Sequence, residues 1–281
     1  MKSVKLNNGV EMPILGYGVY QITDYDECKK SVLTALKNGY RSIDTAQAYQ
    51  NEKAVGDALK ESGIPRNDLF ITTKLWISDY GEAKTKKAFQ ASLEKLQIEY
   101  IDLYLLHQPY NDVYGSWRTL ETLNKEGRVK AIGVSNFFPD RLIDLMSFNE
   151  VAPAVNQIET HPFYQREEDH QVMEQNNVQH ESWAPFAEGQ ADFFSNEILS
   201  KIGKKYGKSV AQVTLRWMIQ RDIVVIPKSV TPSRIKENIE VFDFELTHEE
   251  METIKTMNTH KTKFFDHRDP ERVKWFADRA H

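Results

Sequence analysis

Four side chains of complementary acid–base character stand at the ends of consecutive apolar runs. Asp44 closes Arg41 to Asp44, Tyr49 lies just beyond it, Lys74 closes Phe70 to Lys74, and His107 closes Ile101 to His107. Together they suit one kind of chemistry. Hydride transfer to a carbonyl carbon leaves an alkoxide, which needs a proton at once. A tyrosine hydroxyl can supply it, although its reference pKa is ~10. An ammonium nearby stabilises the phenolate and lowers that value, and Lys74 is placed to do so. A sheltered lysine needs a counter-ion, and Asp44 is the candidate. His107 offers a nitrogen donor to orient and polarise the carbonyl oxygen. Taken singly, each has an ordinary structural explanation: a loop-capping aspartate, a packed tyrosine, a hydrogen-bonded core histidine. Their consecutive order gives the set its weight.

Such a set needs elements that bring strand ends together. Short apolar runs alternate with longer amphipathic ones, the mark of βα units. Val4 to Leu6 and Val10 to Met12 flank Asn7-Asn8-Gly9, which predicts a β-hairpin ahead of the main fold. Eight strands are then expected. They are Leu15 to Gly18, Arg41 to Asp44, Phe70 to Lys74, Ile101 to His107, Val129 to Val134, Ala154 to Ile158, Val178 to Trp183 and Ile223 to Pro227. Helices are expected over Asp26 to Asn38, Glu52 to Ser62, Gly81 to Leu96 and Val113 to Glu126. Glycine directly follows three of these (Gly39, Gly63 and Gly127), as helix ends favour. Eight βα units favour a closed (β/α)8 TIM barrel, residues 1–281 as one domain. An open doubly wound sheet would carry a glycine-rich turn after its first strand, and Gly16-Tyr17-Gly18 lacks the third glycine. Two helical runs within Ser195 to Gln220 and one over Thr247 to Met257 exceed the eight-unit pattern. His260 to His281 forms a polar, aromatic tail that either closes over the site or packs on the barrel.

Net charge is −5, from 36 basic and 41 acidic residues. That excludes a nucleic-acid coat or a basic membrane-binding face, so an anionic ligand must be caught by a local cluster. Cys28 is the one cysteine, so no intrachain disulfide can form, which fits a reducing compartment. The N-terminus lacks a signal-peptide profile, and no apolar run approaches the ~20 residues that span a bilayer. A soluble, cytoplasmic protein is expected. No histidine, cysteine or carboxylate spacing suggests a metal site. The local cluster is Ile226-Pro-Lys-Ser-Val-Thr-Pro-Ser-Arg-Ile-Lys-Glu-Asn238. Lys228 follows the last strand, and Arg234 opens a helix behind Pro232 and Ser233. Helix N-termini, a lysine charge and an arginine fork all suit phosphate, and barrels of this type hold phosphate near strands seven and eight.

Several long segments carry a resemblance. GYRSIDTAQAYQNEKAVGDAL, FITTKLW, DLYLLHQP, GRVKAIGVSNF, AVNQIETHP and VVIPKSVTPSRIKEN closely resemble the aldo-keto reductase family, in its bacterial 2,5-diketo-gluconate reductase-like branch. The resemblance covers nearly the whole chain. It implies a catalytic tetrad of Asp44, Tyr49, Lys74 and His107, with Tyr49 as the acid. It implies NADPH as cofactor. Lys228, Ser229 and Arg234 would hold the 2′-phosphate, and Glu237 and Asn238 the adenine. Ser135, Asn136 and Gln157 would hold the carboxamide, supplying both donor and acceptor. Trp183 would stack on the nicotinamide, where many relatives carry Tyr. Tyr20, Trp76 and Trp117 would line the substrate pocket beside His107, although ordinary core packing is an equal reading for Trp117. The resemblance further implies a small carbonyl substrate and a monomer. Gln108, where Trp is frequent, and the short loop Pro109 to Ser116 are departures that change the pocket mouth. Two rival readings are a Schiff-base aldolase using Lys74 and a nucleotide-sensing partner without turnover.

Overall fold

The computed structural model describes residues 2–280. The hairpin is present: β1 (Ser3–Lys5) pairs antiparallel with β2 (Glu11–Pro13), and Gly9 takes the left-handed turn at φ +88°. It lies across the strand N-terminal end of the barrel. Asn7 donates there to the Pro153 carbonyl, and Asn8 to that of Lys130.

Eight parallel strands follow. They are β3 (Tyr17–Gly18), β4 (Ser42–Asp44), β5 (Phe70–Leu75), β6 (Ile101–Leu106), β7 (Val129–Ser135), β8 (Val155–Glu159), β9 (Gln179–Trp183) and β10 (Val224–Val225). They neighbour one another in chain order from β3 to β10. The ring is completed between the first and last. Leu15 forms a parallel bridge with Val225, Gly16 N–H donates to the Val225 carbonyl at 2.8 Å, and Val225 N–H donates to that of Ile14 at 3.0 Å. The chain is a (β/α)8 barrel, as its alternation indicates. Every residue of β5 and β6 is buried, since helices cover one face and the barrel interior the other.

The covering helices are α1 (Tyr25–Lys37), α2 (Glu52–Ser62), α3 (Glu82–Leu96), α4 (Val113–Lys125), α5 (Pro139–Ser147) and α6 (Glu167–Gln175). After β9 come α7 (Glu197–Tyr206) and α8 (Val210–Ile219), with no strand between, then α9 (Pro232–Ile239) after β10. Local chemistry sets their ends. Asp24 accepts from the Glu27 N–H to open α1, and Gly63 at φ +65° closes α2. Two helices lie beyond the eight units: α10 (His248–Lys255) and α11 (Pro270–Ala277). The sequence reading left α11 inside an undivided tail. Its start signal is nonetheless plain, because Asp269 caps the Glu271 N–H and Pro270 takes the first turn. No helix among the described residues is long and apolar enough to cross a membrane.

Candidate active site

At the C-terminal rim, Asp44 ends β4 and a short 3₁₀ turn, Gln47–Tyr49, lifts Tyr49 inward. Lys74 is the penultimate residue of β5, and His107 follows β6 directly. The structure brings all four together. Lys74 is fully buried, and its ammonium donates to Asp44 Oδ1 at 2.6 Å, the Thr45 carbonyl at 3.0 Å and Tyr49 Oη at 3.4 Å. Three N–H bonds thus meet three oxygens. The phenol oxygen accepts from lysine, so the phenol hydrogen is left for the cavity.

Electrostatics assign the protonation states. Burial works against the Lys74 charge, but Asp44 and Tyr49 outweigh it and its pKa is raised. Lys74 is therefore a cation with every hydrogen engaged, the opposite of a nucleophilic amine. For Tyr49 the sequence expectation is corrected: burial outweighs the Lys74 charge, and the phenol is pushed up to about 12. The lysine offsets part of the desolvation without reversing it. The phenol keeps its proton at neutral pH, as a proton donor must. Burial, then the charge of Lys74, hold His107 well below the usual imidazole range, so the ring is neutral.

Sequence reading missed one member of this cluster. Glu181 in β9 is fully buried, directly across from Gln157 in β8. Gln157 Nε2 donates to both Asp44 Oδ2 (2.9 Å) and Glu181 Oε2 (3.0 Å). Burial, then repulsion from Asp44, push the Glu181 carboxyl up to about 8. The available signal was an acidic residue in the middle of a strand whose neighbours alternate inward. Its ordinary pKa is 4.5. Between that value and about 8, rising pH deprotonates the unfolded chain but not the folded one, which erodes stability. Glu181→Gln lacks this loss. Its melting temperature is expected to gain on wild type as pH rises from about 5 to about 8. Parallel melting curves across that range would refute the assignment.

The same rim frames a cavity of about 700 Å³. One end runs between Trp183 and the β10–α9 loop. Asn136 Nδ2 donates to the His107 carbonyl and Ser135 Oγ, while its Oδ1 accepts from Trp183 Nε1 at 2.8 Å. Gln157 spends both amide hydrogens on Asp44 and Glu181. Both amides therefore offer oxygens rather than the donor–acceptor mixture the sequence suggests, which fits the NH₂ of a carboxamide. Beyond them, Lys228, Ser229 and Arg234 line the cavity. Both cations are exposed, and neither forms an ion pair among the described residues. The opening of α9 has no side-chain cap, so its N–H groups stay available to an anion. Glu237 and Asn238 sit off the cavity wall. Glu237 accepts from the Ser209 hydroxyl at the start of α8, and Asn238 is buried.

At the other end, Tyr20, Trp76 and Gln108 line the wall beside His107. Trp117 does not, which corrects its sequence assignment to the substrate pocket. It is fully enclosed in α4, and its indole donates to the Val151 carbonyl at 3.1 Å. Its apolar face belongs to the helix side of the barrel. The tail supplies wall instead, through Phe264, Phe265, His267, Arg272, Trp275 and Phe276. It is pinned there: Glu159, ending β8, accepts from Thr262 Oγ1 (2.5 Å) and Lys263 N–H (2.8 Å), and Tyr110 donates to the His267 carbonyl (2.7 Å).

A barrel whose rim carries a Lys–Asp–Tyr triad beside a neutral histidine is matched by one family profile, described as the Aldo/keto reductase family, over residues 14–259. The chain belongs to this family. A relative in Bacillus subtilis (strain 168), glyoxal reductase, is 49% identical over 257 residues, covering 91% of this chain and 92% of that protein. Among solved aldo-keto reductases, one from a Medee basin deep-sea metagenome library superposes with a TM-score of 0.92 at 46% identity, covering 95% of this chain and 99% of that one. A Bombyx mori aldo-keto reductase in complex with NADP has a TM-score of 0.90 at 33% identity, covering 94% and 95%. As an aldo-keto reductase, the chain is an oxidoreductase of carbonyl compounds. The family match ends before α11, so the tail wall lies outside it.

Proposed function

We propose that this chain is an NADPH-dependent reductase of small aldehydes and ketones, α-dicarbonyls and keto-sugars among them, with Tyr49 as proton donor. The observation that carries this is the Lys74 ammonium. It is bonded at once to Asp44, Thr45 and Tyr49 at the floor of a cavity with a cationic end. When bound, the reduced nicotinamide supplies a hydride to the carbonyl carbon. The residues do the rest. His107, neutral, donates to the carbonyl oxygen and fixes its approach. Tyr49 passes its proton to the same oxygen as negative charge builds there. Lys74 holds the phenolate left behind, and Asp44 holds Lys74. Gln157 and Asn136 orient the carboxamide, assisted by Ser135, and Trp183 covers the ring. Tyr20 and Trp76 shelter the substrate. Lys228, Ser229 and Arg234 take the 2′-phosphate, with Glu237 and Asn238 toward the adenine. We place the protein in the cytoplasm as a monomer acting through one barrel, residues 1–281.

The test is loss of NADPH absorbance with a panel of aldehydes, α-dicarbonyls and keto-sugars. NADPH binding without turnover of any carbonyl would overturn the reading. The cofactor choice has its own check. Arg234→Ala removes a charge-assisted contact made only by the 2′-phosphate. The Kd for NADPH is therefore expected to rise roughly 10- to 100-fold, while that for NADH moves less than about twofold. Equal losses for both would refute the phosphate assignment.

A further inference from the structure

Gln47 opens the 3₁₀ turn that ends at Tyr49, and the reaction above gives it no part. Its Oε1 accepts from the Trp76 backbone N–H at 2.9 Å, and its Nε2 donates to the Asp79 carboxylate. An N–H needs an acceptor and a carboxylate needs a donor, so the amide fits one way round. Trp76 and Asp79 bound a second short turn, which Asp79 N–H closes by donating to the Trp76 carbonyl at 3.0 Å. Gln47 therefore grips both ends of that turn. Lys74, two residues before Trp76, reaches back to Thr45 and Tyr49. Residues 74–79 are thus stitched to residues 45–49 at both ends, by the lysine and by the glutamine.

Trp76 in turn packs on His107. The His107 backbone is fixed by hydrogen bonds: its N–H donates to the Leu75 carbonyl at 3.1 Å, and its own carbonyl accepts from Asn136. The ring has no such anchor. Its Nδ1 is buried and has no hydrogen-bond partner among the described residues. An imidazole that works through one nitrogen is ordinarily oriented by a bond at the other. Here two rings take that place. Trp76 meets the imidazole edge-on at 5.1 Å and 78°, and Tyr49 meets it at 5.7 Å and 76°. A ring held by packing is only as steady as its neighbours. Tyr49 is steadied by Lys74, and the backbone under Trp76 by Gln47.

We propose that Gln47 is a positioning residue for the reduction: by fixing Trp76 it sets the angle at which the His107 ring presents its N–H to the carbonyl oxygen. The inference rests on the carbonyl-reductase reading and deepens it. Gln47 is not part of the cavity wall, so it acts through Trp76 rather than on substrate. Hydrogen bonds weaken steeply as they bend, and a misplacement of about 1 Å can cost about 10²-fold in rate.

The probe is glyoxal with NADPH. In Gln47→Ala, kcat is expected to fall about 5- to 30-fold, with KM within about threefold, because the misaligned contact matters most in the transition state. Kd for NADPH should stay within about twofold of wild type. Two further constructions separate positioning from mere stability. Gln47→Glu still accepts from Trp76 but faces the Asp79 carboxylate, so it should lose as much as Gln47→Ala. Adding Asp79→Asn reverses the hydrogen bond and restores the pair's single negative charge. That double variant should return to within about threefold of wild type. In a Trp76→Ala background, Gln47→Ala should cost less than about twofold more, since its route to His107 is already gone. Gln47→Ala with wild-type kcat, a reversed pair no better than Gln47→Glu, or a full extra loss without Trp76 would each overturn the role while leaving the reductase reading intact. A wild type that reduces no carbonyl would end both.

Discussion

Tyr49→Phe is expected to bind NADPH as wild type does and to reduce nothing at a useful rate. The ring stays in its contacts with Tyr20 at 4.9 Å and His107 at 5.7 Å, so the cavity keeps its shape. Only the hydroxyl is lost, and with it the one donor whose oxygen is held by Lys74. General acid catalysis contributes about 10²–10⁴-fold, so kcat should fall by at least about 10²-fold with Kd for NADPH unchanged. His107 cannot take over as the acid. Burial and the Lys74 charge keep it unprotonated across the physiological range, so it has a hydrogen bond to give but no proton to spare. Fluorescence titration with NADPH and steady-state turnover check the two halves separately. Activity within tenfold of wild type would remove Tyr49 from its role.

Much of this was legible in the chain because each signal was local. Strand and helix ends follow from glycine, capping residues and apolar runs, and all eight strands fall where the alternation places them. Asp44, Lys74 and His107 each end such a run, and their convergence follows once the barrel is granted. What could not be read depends on contacts between distant segments. Trp117 and Trp76 look alike as aromatic residues near loops, but only the folded barrel shows one enclosed under helix α4 and the other at the cavity wall. Glu181 is silent in sequence because its meaning lies in Gln157 and Asp44, far away in the chain. The direction of the Tyr49 shift was misjudged for a related reason. Charge proximity can be guessed from sequence, whereas the depth of burial that outweighs it cannot. The tail shows the same limit: its helix start was local, but its place as a pocket wall depends on Glu159 and Tyr110.

The second large effect concerns Lys74→Met, and it separates architecture from chemistry. Lys74 is fully buried and Asp44 is 2% exposed, so removing the ammonium leaves a carboxylate with no cation inside the barrel. Such a stranded charge costs about 3–5 kcal/mol. Urea unfolding should register a loss of that size. Turnover should vanish as well, because nothing remains to stabilise the Tyr49 phenolate. The double variant Lys74→Met with Asp44→Asn tells the two consequences apart. The amide keeps an oxygen to accept from Gln157 Nε2 and carries no charge, so no ion is left unmatched. Stability should return to within about 1–2 kcal/mol of wild type, since neutral replacements of buried ion pairs are often tolerated. Activity should not return. A double variant as unstable as the single one would mean that Lys74 matters through packing rather than charge. One that regained turnover would show that the phenol needs no neighbouring cation to give up its proton.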